Sequence, residues 1–197
     1  MSSEAMTGSA DAASARTPRQ ADRVNKVLDA AVELLRESSY SELTVRDVAA
    51  RAGVSPATAY NYFSSKNALI AEVYLRRVRS VPLFVDVNES VQTRVTQQLH
   101  ELAVLVADEP EVAAATTTAL MGGGEEVRHL REKIGWEVRR RITAALGPGE
   151  WPVVLTALEL IFYGALVRAA TSLLTYHQIA DHLNEAVALL FKGIDEH

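Results

Sequence analysis

The sequence predicts an all-α protein of about nine helices, in which a small N-terminal helix-turn-helix unit of three helices precedes a larger C-terminal antiparallel helical bundle. Apolar residues recur every three or four positions along most of the chain, as they do on one face of an α-helix. Capping residues, prolines and glycines divide this pattern into segments of helical length. No segment has the alternating polar and apolar pattern of a β-strand.

Four helices are predicted in the first half of the chain. The first covers residues 22–37, where the charged side chains avoid the apolar face. Thr44 is a side-chain cap that starts the second helix, and Gly53 ends it. Ser55, followed by a proline, starts the third helix almost at once, and Ser65 starts the fourth. The tight turn between the second and third helices indicates a helix-turn-helix motif.

The second half of the chain is predicted to form five further helices. Short segments containing Gly, Pro and Asp separate them. The last but one is apolar on nearly all sides, as expected of a helix that packs between its own core and a partner. The five predicted helices cover residues 91–107, 111–121, 125–146, 152–175 and 178–192.

The charge is divided unevenly along the chain. Although the net charge is −5, residues 12–80 contain 11 Lys and Arg against 7 Asp and Glu, whereas residues 81–197 contain 9 against 16. A basic N-terminal third joined to an acidic remainder favours two separate roles, with a polyanion facing the basic part.

Composition and spacing disfavour several classes of protein. The absence of cysteine excludes disulfides, thiol nucleophiles and Cys-ligated metals. His177 and His182 are poorly spaced for a metal site, and residues 122–124 lack the Lys and Ser/Thr of a phosphate-binding loop. We therefore predict no metal, no cofactor and no enzyme activity. Uncharged runs in the C-terminal half, such as residues 169–180, are too short to cross a membrane, and no secretory signal is recognised, so a cytoplasmic protein is expected.

The third helix has one face suited to the major groove of DNA. At about 100° per residue, Pro56, Ala59 and Phe63 fall on one side, which is predicted to be buried. The opposite side has no acidic side chain, and its Asn, Thr and Ala residues match the hydrogen-bonding and methyl groups of base edges. The residues predicted to face the bases are Ala57, Thr58, Tyr60 and Asn61.

A second set of residues is predicted to contact the phosphate backbone. Thr44 and Ser55 mark the amino ends of two helices, whose positive dipole ends attract anions. Basic and hydroxyl side chains near these ends, and on or just beyond a flexible N-terminal arm, extend the predicted surface. These side chains are Arg16, Arg19, Arg23, Arg46, Tyr62 and Lys66. The alternative is ordinary core packing, in which the tyrosines fill the gap beside the first helix.

The residues from the second to the fourth helix form a signature in their order and spacing. The signature consists of Thr44-Val45, Val48-Ala49, Ala52-Gly53-Val54-Ser55, Thr58, Tyr60-Asn61-Tyr62-Phe63, Ser65-Lys66 and Leu69. It resembles the DNA-binding region of the TetR family of bacterial transcriptional regulators, and the match spans residues 22–74.

The resemblance implies roles for individual residues and for the C-terminal half. It implies phosphate contacts from Thr44, Tyr62 and Lys66, and base reading by the segment around Ala57, Thr58 and Tyr60. Alanine stands at positions 57 and 59, where many members have glycine and leucine, so the operator sequence cannot be inherited from the family. The resemblance also implies that the C-terminal helices form a two-fold dimer and a pocket for a small effector.

The expected domain organisation has four parts. A disordered arm covers residues 1–20, a helix-turn-helix DNA-binding domain residues 21–66, a connecting helix residues 67–82, and an effector-binding and dimerisation domain residues 83–197. The last two helices of each subunit are expected to form an isologous four-helix homodimer interface.

The predicted effector site is a cavity for a small, largely apolar molecule. Trp136 lies on the opposite side of its helix from the apolar residues, near a possible entrance, and Arg168 is a lone cation placed to meet an anionic group. The full set of candidates is Thr117, Met121, Trp136, Phe162, Tyr163 and Arg168. The alternatives are a solid core in place of the cavity and, for Trp136, packing under a neighbouring helix or against Arg140.

These observations predict a homodimeric repressor that binds a palindromic double-stranded DNA operator and is released by a small-molecule effector. The alternative is an architectural or effector-independent DNA-binding protein. A small-molecule enzyme is disfavoured because no nucleophile, base, metal cluster or phosphate-binding loop converges in the sequence.

Overall fold

The computed structural model describes residues 18–149, 151–171 and 174–195. Over these residues the chain forms nine α-helices and no β-strand, which confirms the predicted fold class. The helices are α1 (Pro18–Glu37), α2 (Val45–Arg51), α3 (Pro56–Tyr62), α4 (Lys66–Ser80), α5 (Val91–Ala103), α6 (Pro110–Met121), α7 (Glu125–Leu146), α8 (Pro152–Thr171) and α9 (Tyr176–Asp195).

Helix α1 begins earlier than the sequence predicted. Residues 18–20, assigned to a disordered arm, form its first turn, and Pro18 suits this place because proline is favoured at the first helical position. The rest of the predicted arm, residues 1–17, lies outside the described residues. At the other end of the chain, α8 ends at Thr171 rather than at 175, and α9 begins at Tyr176 rather than at 178.

Two side-chain caps and one glycine form the turn of the helix-turn-helix motif. Thr44 Oγ1 accepts a hydrogen bond from the N–H of Asp47 at 3.1 Å, which starts α2. Gly53 has a φ of +67° and turns the chain out of α2 in a left-handed conformation. Ser55 Oγ then accepts the N–H of Thr58 at 3.1 Å, which starts α3. The turn therefore forms where the sequence predicted it.

Helices α1 to α4 pack around a shared apolar core. Val27, Leu35, Val48, Ala59 and Leu69 all have 0% exposure. Burial of a Val or Leu side chain contributes about 2 kcal/mol relative to leaving it in water. Hydrophobic burial therefore holds the N-terminal unit together and leaves its polar side chains on the surface.

A buried carboxylate fixes the last turn of α4 to the C-terminal bundle. Glu137 of α7 accepts N–H donors from Arg79 at 3.0 Å, Arg140 at 3.2 Å and Arg141 at 2.6 Å. Arg141, which is 1% exposed, also donates to the carbonyl oxygens of Arg79 at 2.8 Å and Val81 at 3.3 Å. These carbonyls lie at the end of α4, where they have no partner within the helix. The cluster therefore joins the connecting helix to α7.

The three arginines determine the charge of Glu137. Burial alone would raise the pKa of this carboxyl group, but hydrogen bonds from Arg141, Arg79 and Arg140 outweigh burial and hold the pKa below its ordinary value of 4.5. A carboxyl group with a lowered folded-state pKa contributes stability that is fully present above its unfolded-state pKa and is lost as the pH falls through the folded-state value. The stabilising contribution of Glu137 is therefore present at neutral pH and disappears in acid.

We expect Glu137→Gln to lower the free energy of unfolding by about 3 kcal/mol at pH 7, because it leaves buried arginine charge without a counter-ion. The difference from the wild type should shrink as the pH falls below about 4.5. Urea denaturation between pH 3 and pH 7 measures both effects. Glu132→Gln, on the exposed side of the same helix, serves as control and should change the free energy by less than about 0.5 kcal/mol. A pH-independent loss at position 137 would contradict the electrostatic explanation.

Candidate DNA-binding surface and ligand cavity

The face of α3 predicted to read DNA bases is open to solvent. Tyr60 is 52% exposed and Asn61 is exposed, whereas Ala59 and Phe63 are buried on the opposite side. The prediction was wrong for Pro56, which is exposed, because it occupies the first turn of α3 at the edge of the core. No acidic residue occurs in α3. The exposed side therefore presents small, amide and phenolic groups without a negative charge.

The capping hydroxyl groups are already hydrogen-bonded within their own helix ends. Thr58, which is half-buried, shares a hydrogen bond between its hydroxyl and that of Ser55 at 2.8 Å, while the neighbouring Ala57 is exposed. The hydroxyl of Thr44 donates to Asp47 Oδ2 at 2.5 Å. An approaching phosphate would have to exchange with these bonds in order to use the hydroxyl groups.

The predicted phosphate-contacting residues are placed unevenly. Arg46 is exposed on α2, Tyr62 is half-buried at the end of α3, and Arg19 and Arg23 are exposed in the first two turns of α1. Arg16 lies outside the described residues. Arg46 stands in the first turn of α2 and is therefore the predicted cation placed nearest to the helix-turn-helix itself.

Lys66 binds the protein's own backbone. Its ammonium group donates to the carbonyl oxygens of Tyr40 at 2.8 Å, Leu43 at 3.2 Å and Ser41 at 3.4 Å, and it lies 4.4 Å from the centre of the Tyr40 ring. The ammonium has three N–H donors, so these contacts use its full donor capacity. In this structure Lys66 therefore holds the loop between α1 and α2, and the phosphate contact predicted for it stays a prediction.

The C-terminal helices, together with α4, line an apolar cavity of about 310 Å³ that is open to solvent on one side. This volume lies at the lower end of the range for small-molecule sites. Four of the six residues predicted from the sequence line it: Thr117, Met121, Phe162 and Tyr163. The other lining residues come from α4, α6, α7, α8, the start of α9 and the segment between α5 and α6, and are Tyr74, Val106, Thr116, Leu120, Arg131, Ile134, Val138, Leu166, Val167, Ala170 and Tyr176.

Two predicted cavity residues lie elsewhere. Trp136 is 62% exposed and faces the guanidinium of Arg140 at 5.8 Å, which is the alternative that the sequence offered for it. Arg168 is exposed and does not line the cavity, because it is rotated away from the buried face of α8. Glu159, the acidic residue on the same helix, forms an ion pair with Arg139 at 2.7 Å instead of with Arg168.

Sequence reasoning missed Arg131, the charged residue that does line the cavity. Its Nη1 donates to the carbonyl oxygens of Leu120 at 2.8 Å and Gly122 at 2.9 Å, at the end of α6. The spacing of three and seven residues from Arg131 to Ile134 and Val138, which also line the cavity, places it on the same face of α7. That spacing was the available signal.

Hydroxyl groups give the otherwise apolar cavity its remaining polar character. Burial raises the pKa of Tyr74 far above its usual range, with a further contribution from Tyr176 and Tyr163. Burial, followed by the charge of Glu159, also raises the pKa of Tyr163. These phenols therefore stay neutral at physiological pH. Thr116 is 5% exposed, and its Oγ1 finds no hydrogen-bond partner among the described residues.

The N-terminal unit touches the bundle near the start of α4. Glu126 of α7 accepts the backbone N–H of Ser64 at 3.2 Å and also its hydroxyl group. Asn67 accepts a short hydrogen bond from the hydroxyl of Tyr40. A Cβ atom added at Gly122 would clash with Nδ2 of Asn67, so the end of α6 is in very close contact with α4. The end of α6 thus borders both the cavity and the N-terminal unit.

Known proteins share both the N-terminal sequence and the whole fold. The sequence profile described as bacterial regulatory proteins, tetR family, matches residues 27–73. The HTH-type transcriptional regulator Rv0767c of Mycobacterium tuberculosis is 56% identical over 183 residues, which cover 92% of this chain and 86% of the relative. A TetR transcriptional regulator from Rhodococcus sp. RHA1 has a TM-score of 0.75 at 23% identity, over 89% of this chain and 98% of that chain. FadR from Bacillus subtilis, solved in complex with stearoyl-CoA, has a TM-score of 0.59 at 17% identity, over 83% of this chain and 96% of that chain.

The exposed helix α3, the capped turn before it and the all-α bundle behind it are typical of a helix-turn-helix transcriptional regulator. The chain belongs to the TetR family of bacterial regulatory proteins, because a relative is 56% identical over 92% of this chain and the family profile matches residues 27–73. Members of this family are regulators of transcription and not enzymes.

We expect Gly122→Ala to lower the free energy of unfolding by about 1–2 kcal/mol, because the new methyl group displaces Asn67 and breaks its hydrogen bond with Tyr40. Thermal or urea denaturation measures the change. Gly123→Ala is the matched control, since a Cβ atom there meets nothing within 4 Å and both variants restrict the unfolded chain equally. Equal stability of the two variants would show that the contact with Asn67 does not contribute to the free energy of unfolding.

Proposed function

We propose that this TetR-family regulator is a homodimeric repressor that binds a palindromic operator with two α3 helices and is released when a small, largely apolar molecule fills the cavity. The observation that carries the DNA-binding part is the outward side of α3, which is exposed and free of acidic residues. A face of this kind approaches the major groove of a polyanion without electrostatic repulsion.

In the proposed complex, the N-terminal residues divide into base-reading and positioning groups. Asn61 is the strongest candidate for sequence selection because its amide can form paired hydrogen bonds with adenine. Ala57, Thr58 and Tyr60 complete the reading surface. The positioning residues are Arg19, Arg23, Thr44, Arg46, Ser55 and Tyr62, with Lys66 acting through the loop that it holds.

A homodimer is supported by an unpartnered apolar surface on α8 and α9. Val153, Leu160 and Val167 follow one another at seven-residue intervals on α8 and are 80%, 70% and 51% exposed, and Leu189 of α9 is 72% exposed. Among the described residues, α8 is the helix long and apolar enough to cross a membrane, with a mean hydropathy of 1.8 and 22% of that window buried. A two-fold interface with a second copy would cover this surface and keep its apolar side chains from water.

We propose that each part of the chain has a separate role. Residues 21–66 form the DNA-binding domain, residues 67–82 the connecting helix and residues 83–197 the effector-binding and dimerisation domain. The cavity supports the effector role, and FadR, which has this fold, was solved with stearoyl-CoA bound. Cavity-lining Tyr74 lies on the connecting helix α4. A ligand that favours one position of α4 would therefore change the separation of the two α3 helices in the dimer and lower the affinity for DNA.

We expect Asn61→Ala and Arg46→Gln to affect DNA binding differently. Duplexes enriched from a randomised library by the wild-type protein provide the binding sites, and fluorescence anisotropy at several salt concentrations measures affinity. Asn61→Ala should change the preferred bases, with a loss of about 1–3 kcal/mol at the bases it contacts. Arg46→Gln should weaken all duplexes similarly and reduce the salt slope by about one. If the wild-type protein binds every duplex equally, it is an architectural DNA-binding protein and the operator proposal is wrong.

We expect the wild-type protein to be a dimer and Leu160→Glu to be a folded monomer with greatly weakened operator affinity. The glutamate places a charge in the proposed apolar interface, but it costs little in the monomer because position 160 is already exposed. Light scattering coupled to size exclusion measures the mass, and circular dichroism checks the fold. Val87→Glu, at a loop position that is 90% exposed, is the control and should remain dimeric. A dimeric Leu160→Glu variant would place the interface elsewhere.

A further inference from the structure

The cavity has one charged lining residue among its fifteen, the arginine at position 131. Arg131 is an exposed residue of α7 that also lines the cavity, so its side chain lies where the cavity meets solvent. The remaining lining residues are apolar or carry neutral hydroxyl groups. A ligand that fills the cavity therefore meets a single positive charge at one end of an apolar volume.

The charge of Arg131 is uncompensated within the described part of the chain. Other arginines at the junction between α4 and its neighbours pair with carboxylates: Arg77 with Glu109 at 2.7 Å and Arg79 with Glu137 at 3.0 Å. Arg131 donates to two carbonyl oxygens instead, which carry no net charge. No carboxylate among the described residues therefore occupies the place where an anionic ligand could pair with this side chain.

The hydrogen bonds of Arg131 leave one edge of its guanidinium available. Both carbonyl bonds use Nη1, so the described residues leave the Nε and Nη2 side unoccupied. These two nitrogen atoms form the parallel pair of donors that binds a carboxylate through both of its oxygen atoms. A carboxylate can thus bind Arg131 without breaking the bonds that hold the end of α6.

A second, independent observation is a buried cavity hydroxyl group that could accept or donate a hydrogen bond to a polar atom of a ligand. Thr116 lines the cavity and is only 5% exposed. Its Oγ1 has no hydrogen-bond partner among the described residues. An unpaired buried hydroxyl costs about 1–3 kcal/mol. A ligand oxygen or nitrogen atom within reach of Thr116 would remove this cost.

We infer that the ligand of this cavity is an anionic amphiphile, a small molecule whose apolar body fills the space between α6, α7 and α8 while its carboxylate binds Arg131. This inference rests on the proposed ligand-responsive function and adds the chemical class of the ligand. It moves the anion-binding role from Arg168, which lies outside the cavity, to Arg131. The volume of about 310 Å³ favours a body of modest length rather than a long lipid chain.

The position of Arg131 also connects the ligand's charged group to the N-terminal unit. The carbonyl oxygens that Arg131 holds belong to Leu120 and Gly122, and Gly122 is the residue in very close contact with Asn67 at the start of α4. A carboxylate on the free edge of the guanidinium would fix the side chain and, through it, the end of α6. The ligand's carboxylate would thus be linked, through Arg131 and Gly122, to Asn67 at the start of α4, next to the helix-turn-helix unit.

The test compares two probes with the same apolar body, decanoate and 1-decanol, by isothermal titration calorimetry on the full chain without DNA. We expect the wild-type protein to bind decanoate about tenfold more tightly than decanol, since a charge-assisted pair at an exposed cavity mouth is partly screened by water. Arg131→Gln should remove this preference while decanol binding stays within about twofold. Decyltrimethylammonium, with the opposite charge, should bind the wild-type protein more weakly than decanol.

Two further variants separate recognition from folding. Arg131→Lys keeps the positive charge and should retain a preference for decanoate, reduced because lysine lacks the paired donors. Arg168→Gln, the matched control on α8, should bind like the wild-type protein. Equal binding of decanoate and decanol by the wild type, failure of both to bind, or loss of the preference in Arg168→Gln rather than in Arg131→Gln would overturn the inference.

DNA binding is measured separately so that the two proposals can fail independently. If decanoate binds through Arg131 but leaves operator affinity unchanged, the inference on ligand class stands and the proposed release mechanism is wrong. If other molecules release the operator while decanoate shows no preference over decanol, the release mechanism stands and the assignment of Arg131 is wrong.

Discussion

The attachment of α4 at both of its ends is the constraint on which the rest of the structure depends. At its C-terminal end, Glu137 and Arg141 hold the side chain of Arg79 and the last carbonyl groups of the helix. At its N-terminal end, Asn67 lies in very close contact with Gly122 of the bundle. Because protein interiors are close-packed and transmit strain, a displacement at one end of such a helix is felt at the other. Helix α4 is therefore a main connection between the bundle and the helix-turn-helix unit, beside the bonds of Ser64 with Glu126 and of Arg36 with Glu109.

The position of the cavity makes this constraint useful for regulation. Tyr74 of α4 and Leu120 of α6 both line it, so the walls of the cavity include the connecting helix and the helix that abuts it. A ligand shifts a conformational equilibrium only as far as its affinities for the two states differ. Contacts with both walls provide such a difference, because any relative movement of α4 and α6 changes the space that the ligand occupies. In the proposed repressor, ligand binding is thus coupled to release of DNA through α4, which forms part of the cavity wall.

The helix-turn-helix could be predicted from local sequence signals, whereas features that depend on contacts between distant parts of the chain could be predicted only in part. The caps at Thr44 and Ser55 and the glycine at position 53 act within a few residues, so the sequence identifies the turn and its start and end points. The internal contacts of Lys66 could not be predicted, because the carbonyl groups that bind it lie more than twenty residues earlier in the chain. The cavity was predicted in part, since apolar spacing shows which side of a helix is covered but not which neighbouring helix leaves a gap there. Arg168 was chosen for its apolar sequence neighbours, whereas the side of α8 on which it lies faces away from the cavity.

The contrast between two arginines shows why contact with carbonyl groups alone does not define a ligand site. Arg94 is 8% exposed and uses Nε, Nη1 and Nη2 to bind the carbonyl oxygens of Ala145, Leu146 and residues of the preceding loop. All of its nitrogen atoms are occupied, and it serves to close the end of α7. Arg131 holds the end of α6 in a similar way but through Nη1 alone, and it faces a cavity instead of a filled core. The same chemistry therefore completes the fold in one place and leaves a paired donor edge for a ligand in the other.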